Sequence, residues 1–198
     1  MSVIEHGPWG VSWTWEEPME RTSHALADGG RLWLVDPVAD EEALDAALGH
    51  GEVAGVVQLL DRHPRDCAEL ARRYGVDHQR LTERLPGTPF EALRVVWVPR
   101  WREICLWWAA RRALVVPEAI GTARYFSLGR LPAGIHPFLR ALPPTGALGT
   151  YEPDQLLVGH GPPLREGATA AIGQALQRSR RDLPRAATAM VRGLRPGR

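Results

Sequence analysis

The run VAGVVQLLDRHPRDCAELARRY, residues 53–74, decides how this chain is read. Residues 53–60 are almost continuously apolar, the pattern of a strand covered on both faces. A polar hexapeptide follows, Asp61-Arg62-His63-Pro64-Arg65-Asp66, and Cys67–Tyr74 then reads as a helix. Asp66 stands where an N-cap is needed and Gly75 where a helix stops. The ionisable residues are therefore concentrated on a loop between a buried strand and a helix, where side chains can converge over a rigid sheet.

Other elements extend this pattern in both directions. Residues 9–15 (WGVSWTW) alternate large apolar and small residues, as a one-face-buried strand does, and Arg31–Val35 is a second short strand stopped by Asp36-Pro37. Residues 40–48 place Leu44, Ala47 and Leu48 at helical spacing before Gly49. Further strands are expected at 93–98, 104–108, Ala113–Val116 and 156–158, with Arg111-Arg112 as a hairpin tip. The Gly- and Pro-rich stretch 129–144 reads as loop with one helical turn near 138–142, and residues 168–183 as a helix ended by Pro184. Interspersed strands and helices, with no repeat and no linker, predict a single layered α/β domain over residues 1–198, with a basic C-terminal helix and tail from about residue 177.

Three segments, in this order, resemble the metallo-β-lactamase superfamily. The strand–loop–helix at 56–66 corresponds to the family's His-x-His-x-Asp-His loop. Glu103-Ile104-Cys105-Leu106 followed by Arg112-Ala113-Leu114-Val115-Val116-Pro117-Glu118-Ala119 is similar to the hairpin that leads to a metal-bridging Asp. Leu156-Leu157-Val158-Gly159-His160-Gly161-Pro162-Pro163 looks like the late Gly-His-Gly strand end. The resemblance spans roughly residues 34–176 and implies an αββα sandwich. In that family, imidazoles and a bridging carboxylate hold one or two metal ions that activate water.

Most of the implied ligands are replaced. With Leu60 as anchor, the four positions of the first motif fall on Asp61, His63, Arg65 and Asp66, so one of four is retained. A shift of one residue puts Asp66 at the Asp and Cys67 at the last position, but Arg62 and Pro64 at the two earlier ones, so the first register is preferred. The next His falls on Pro99, the bridging Asp on Glu118, and His160 keeps its place. The candidate metal-ligand set is therefore Asp61, His63, Asp66, Glu118 and His160. Asp66 also serves as a helix cap, Cys67 as a small buried residue, and either Asp61 or Glu118 as the ion-pair partner of Arg62 or Arg65.

Arg65 carries a permanent charge where a metal-binding Asp is expected. It repels a cation and is placed to neutralise Asp61 or Glu118 instead. Among the eight tryptophans, Trp101, flanked by Arg100 and Arg102, is the one placed to form a stacking wall for a planar or anionic ligand.

The leading functional expectation is a metal-free binding or scaffold protein with this fold and an unidentified ligand, a small molecule being compatible with the sequence. The alternative is a hydrolase with a reduced site holding one zinc or other divalent ion. A formal net charge of +1 speaks against nucleic acid as a whole-surface partner. The tail from 177 holds seven arginines and one aspartate without interleaved aromatics, which reads as a solvated face. No secretory signal pattern and no apolar run long enough to span a bilayer is visible, so a cytoplasmic location is expected, and a homo-oligomer is compatible with the sequence. Two cysteines, Cys67 and Cys105, provide no disulfide framework.

Overall fold

The computed structural model describes residues 1–193. Strands β1 (Ser2–Glu5), β2 (Gly10–Thr14), β3 (Thr22–Asp28) and β4 (Arg31–Val35) form an antiparallel meander. Strands β5 (Glu52–Gln58) and β6 (His78–Arg80) then add in parallel, so the sheet order is β1-β2-β3-β4-β5-β6. Parallel addition requires a crossover, and helices α1 (Glu41–Leu48) and α2 (Cys67–Tyr74) provide the two crossovers. Asp40 caps α1 by accepting from Ala43 N at 3.0 Å.

A second sheet follows. Strands β7 (Glu91–Val98), β8 (Trp101–Trp108) and β9 (Ala113–Val116) are antiparallel neighbours. Beyond them lie a two-stranded ribbon of β10 (Ile120–Gly121) and β11 (Gly134–Ile135), with the one-turn helix α3 (Arg124–Ser127) between its strands. A second one-turn helix, α4 (Thr145–Leu148), precedes β12 (Gln155–Val158), which pairs in parallel with β9 to give the order β12-β9-β8-β7. Helices α5 (Ala168–Arg178) and α6 (Leu183–Gly193) close the described chain.

Period-two alternation sorts the strands' side chains into three apolar layers. On β4, Leu32 and Leu34 face α1 and α2, packing with Ala43, Leu44, Ala47, Cys67 and Leu70. Trp33 and Val35 face inward and meet Leu106, Trp108, Ala113, Val115 and Leu157 of the second sheet. Leu114, Val116, Leu156 and Val158 point the other way, onto Ala168, Ala171, Ile172 and Ala175 of α5. Helix, sheet, sheet and helix therefore stack in that order, the αββα sandwich that the resemblance implies. Each fully buried aliphatic side chain in these layers contributes about 1.5–3 kcal/mol of transfer free energy.

The departures from the sequence reading have local causes. Strand β3 was not anticipated because Thr22, Ser23 and His24 interrupt its apolar alternation, yet all three are buried and hydrogen-bonded. The strand read at 9–15 is shorter and follows a 3-10 turn at Gly7–Trp9. The helix read at 168–183 stops at Arg178, and Pro184 lies in the first turn of α6, where its missing N–H is tolerated, instead of ending α5. Of the basic tail, Arg195 and Arg198 lie outside the described residues. Both cysteines are buried and unpaired. No described helix is long and apolar enough to cross a membrane.

Candidate metal centre

The C-terminal ends of β4, β5, β9 and β12 point to one rim of the sandwich, and the segments that follow them carry the candidate residues. His63 follows β5, Glu118 follows β9 and His160 follows β12. One ligand atom from each lies within 4.8 Å of the other two, and all three side chains are buried. Sequence order alone gave no sign that these three, out of the five candidates, meet.

The two imidazoles are held in defined tautomers. His160 Nδ1 lies 2.8 Å from the Met19 carbonyl oxygen, which can only accept, so Nδ1 carries the proton. His63 Nδ1 faces the Asp36 carboxylate at 3.4 Å, an acceptor too. Burial, reinforced by Arg65 and for His160 by the neighbouring imidazoles, holds both rings below the usual histidine range against the opposing pull of Asp36 and Glu118 on His63, with His160 lowered to about 3. Two neutral rings protonated at Nδ1 turn their Nε2 lone pairs toward each other, 3.3 Å apart. Nothing in the protein lies between those lone pairs to satisfy them. Two nitrogens at about 2.05 Å from a tetrahedral zinc are separated by about 3.3 Å, so the observed spacing is one that a shared cation can fit.

The motif around His160 has a steric basis. A Cβ at Gly159 would collide with the Pro117 carbonyl oxygen. Gly161 has φ +94 and packs against Ala123 N. His160 is thus presented between two positions that only glycine fits, and its own carbonyl accepts from Thr122 N at 3.0 Å and Ala123 N at 3.1 Å.

Glu118 is positioned from behind by a carboxylate the sequence reading placed in a motif but gave no role. Glu103, fully buried, accepts from Glu118 N at 2.9 Å, Ala119 N at 2.7 Å and Trp101 Nε1 at 2.8 Å. Burial outweighs those three donors and raises the Glu103 carboxyl to about 7. His136, also unanticipated, approaches Glu118 Oε1 at 3.6 Å. Its Nδ1 accepts from Phe138 N, which leaves Nε2–H facing that carboxylate. Asp36, read only as a strand stop, orients His63 while its other oxygen accepts from Leu59 N at 2.8 Å. An acidic residue at the end of a sheet strand and a lone Glu inside the apolar run of β8 are the signals that mark Asp36 and Glu103.

The remaining candidates lie elsewhere. Asp61 is outside the converging group and lines a separate cavity with Arg80, Leu81, Trp97 and Arg102. Asp66 occupies the N-cap position of α2, but its side chain makes no cap bond; it accepts instead from Ala39 N at 2.7 Å and ties the loop after β4 to α2. Trp101 is buried, and its ring carries Arg62 at 4.1 Å, so it stacks on a side chain of the protein and not on an open pocket. Arg62, not Arg65, neutralises Glu118, at 2.7 Å.

Arg65 turns inward. Its guanidinium donates to the carbonyls of Thr22 and Asp36, each at 2.6 Å, and of Gly159 at 3.1 Å. These belong to the start of β3 and the ends of β4 and β12, so one side chain clamps three strand termini. Arg65→Met should cost about 3 kcal/mol, since it removes the donor to the Thr22 and Asp36 carbonyls, while Gly159 keeps Thr22 N at 2.9 Å. Urea denaturation measures this; a loss under 1 kcal/mol would mean water replaces the guanidinium.

No family model and no curated protein sequence matches this chain. Solved structures do. The metallo-β-lactamase DIM-1, exposed to ceftazidime, superposes with a TM-score of 0.63 at 14% identity, covering 90% of this chain and 95% of its own. A metallo-β-lactamase from Erythrobacter litoralis gives 0.59 at 12%, covering 90% and 92%. A diflavin flavoprotein fragment from Nostoc sp. gives 0.59 at 15%, covering 91% and 96%. The chain has the metallo-β-lactamase fold.

Proposed function

We propose that this protein holds a single divalent metal ion between His63, His160 and Glu118 and acts as a metal-dependent hydrolase with a reduced site. The observation that carries this reading is the pair of Nε2 lone pairs, each fixed by an Nδ1–H donor, facing one another at 3.3 Å beside a carboxylate. Two histidines and a glutamate form a ligand set used by catalytic zinc, with the fourth position open to water or substrate. A cation bound there supplies Lewis acidity, polarising a carbonyl or phosphoryl oxygen and acidifying water.

The chain's own residues have separable tasks. Asp36 and the Met19 carbonyl hold the imidazoles in the tautomer that leaves Nε2 free. Glu103 and Trp101 fix the backbone of Glu118. His136 donates toward Glu118, and Arg62 lies over the same carboxylate. The hydrolytic reaction class comes from the fold by analogy.

A second reading, a metal-free binding or scaffold protein, is favoured by a different observation. Arg62 already neutralises Glu118, and the permanent charge of Arg65 is close to both imidazoles. Titrating metal-stripped protein with zinc by calorimetry separates the two. One equivalent bound in the micromolar range or tighter, with chelator-sensitive ester or phosphodiester hydrolysis, is the expected outcome. Absence of stoichiometric zinc, manganese or iron binding would leave the metal-free reading standing.

A further inference from the structure

On the far side of the Asp61–Arg62 turn, a cavity of about 450 Å³ is lined by Asp61, Arg80, Leu81, Trp97 and Arg102. This is within the size range of small-ligand sites. Arg80, Trp97 and Arg102 are exposed, and the charges around them are unequally paired. Arg94, stacked at 4.4 Å from the Trp97 ring, is neutralised by Glu83 at 2.5 Å. Arg80 and Arg102 have no carboxylate partner among the described residues, and Arg102 is held 5.6 Å from the same indole. Two unpaired guanidiniums and one carboxylate leave the cavity with a net positive charge.

The lining is fixed in place by the main chain. Asp61 N donates to the Arg102 carbonyl at 3.1 Å, and Leu81 N to the Gln58 carbonyl at 2.9 Å. Leu81 is held at φ +48, a conformation that costs a non-glycine residue energy and that persists only where its surroundings determine it. Asp61 Oδ1 is shut off from water and meets no donor, so a ligand in the cavity can reach this half-buried carboxylate only through its other oxygen. Guanidiniums match phosphate and carboxylate groups. A carboxylate beside them repels a bare anion and accepts from an N–H group.

We propose that this cavity is a second ligand site, independent of the His63–His160 cluster, for a small molecule that carries both an anionic group and an N–H donor. The anion lies between Arg80 and Arg102, and the N–H group meets Asp61. A nucleoside monophosphate and a short peptide both have this chemistry.

Calorimetric titration with AMP, glycylglycine, adenosine and inorganic phosphate tests the assignment. AMP or glycylglycine should bind at least about tenfold more tightly than phosphate or adenosine, and whichever binds tighter identifies the source. Arg80→Ala and Arg102→Ala should each weaken that ligand about tenfold. Asp61→Ala should act in opposite directions, weakening the N–H-bearing ligand while tightening phosphate. Trp97 fluorescence, read as the difference from Trp97→Phe, gives a second signal that does not depend on heat. The proposal is overturned if neither compound exceeds phosphate, or if the arginine variants bind unchanged. It is also overturned if His160→Ala abolishes binding, which would place the ligand at the imidazole cluster and leave the metal reading intact.

Discussion

Zinc affinity should fall by at least about a hundredfold in His160→Ala and rise about tenfold in Arg62→Ala. The first change removes one of the three proposed ligands and leaves His63 with no convergent nitrogen. The second follows from a competition seen in the structure. The Arg62 guanidinium is 2.7 Å from a Glu118 oxygen, and a cation that uses this carboxylate must share it or displace the arginine. Removing a pair this close to a partly exposed surface releases the carboxylate at modest cost to stability. Asp36→Asn should weaken zinc by about 10–100-fold, the usual effect of disturbing the group that orients a ligating histidine. Competition against a chromogenic chelator reads all three. Equal affinity for Arg62→Ala and the parent protein would show that Glu118 is not a ligand, whereas equal affinity for His160→Ala would remove the site altogether.

The second large effect is on acid stability. His6 Nε2, Ser12 Oγ and His24 Nδ1 form a buried chain with both contacts at 2.7 Å, and His24 Nε2 reaches the Val158 carbonyl at 3.2 Å. Because that carbonyl can only accept, His24 carries its proton on Nε2 and takes the serine hydroxyl's hydrogen at Nδ1. Burial, ahead of the neighbouring positive groups, lowers His24 from 6.5 to about 3 and His6 to about 4. Both values are below those of the unfolded chain, so the native state binds fewer protons. The stability each histidine provides is complete above pH 6.5 and is lost as the pH falls from there toward 3–4. Each contributes a slope of about 1.4 kcal/mol per pH unit in that window, or about 2 kcal/mol between pH 6.5 and 5 for His24. Urea unfolding of His24→Gln at pH 6.5 and 5 should show this increment missing. If the variant and parent lose stability in parallel, His24 is not the group that titrates.

The layering was legible in the sequence because it rests on pattern. The alternation in Arg31–Val35 and the continuous apolar run before Asp61 follow from which face each side chain must bury. β3 was not legible because it buries polar side chains, and burial of a polar group depends on a partner from another strand. Contacts with Thr14, Glu20 and Gly161 make Thr22 acceptable there, and Ser12 and Val158 make His24 so. The site divides in the same way. His160 was marked by its two glycines, each of which has a steric reason. The roles of Asp36, Glu103 and His136 depend on distances across the sandwich that no spacing along the chain records. Arg62 and Arg65 differ by three positions on one loop, and the conformation of that loop, with Arg65 at φ +39, decides which guanidinium faces the carboxylate and which goes inward.

The inward guanidinium has a further consequence for how the protein matures. Where an ion is the only bond between strand termini, a newly made chain stays slack until that ion arrives. Here a side chain encoded by the gene performs the stitching, so the rim closes on its own schedule. On the proposed reading an ion would not be needed for folding, so the metal-stripped chain should keep its native structure, and a bound ion should add only its own binding free energy to resistance against proteolysis.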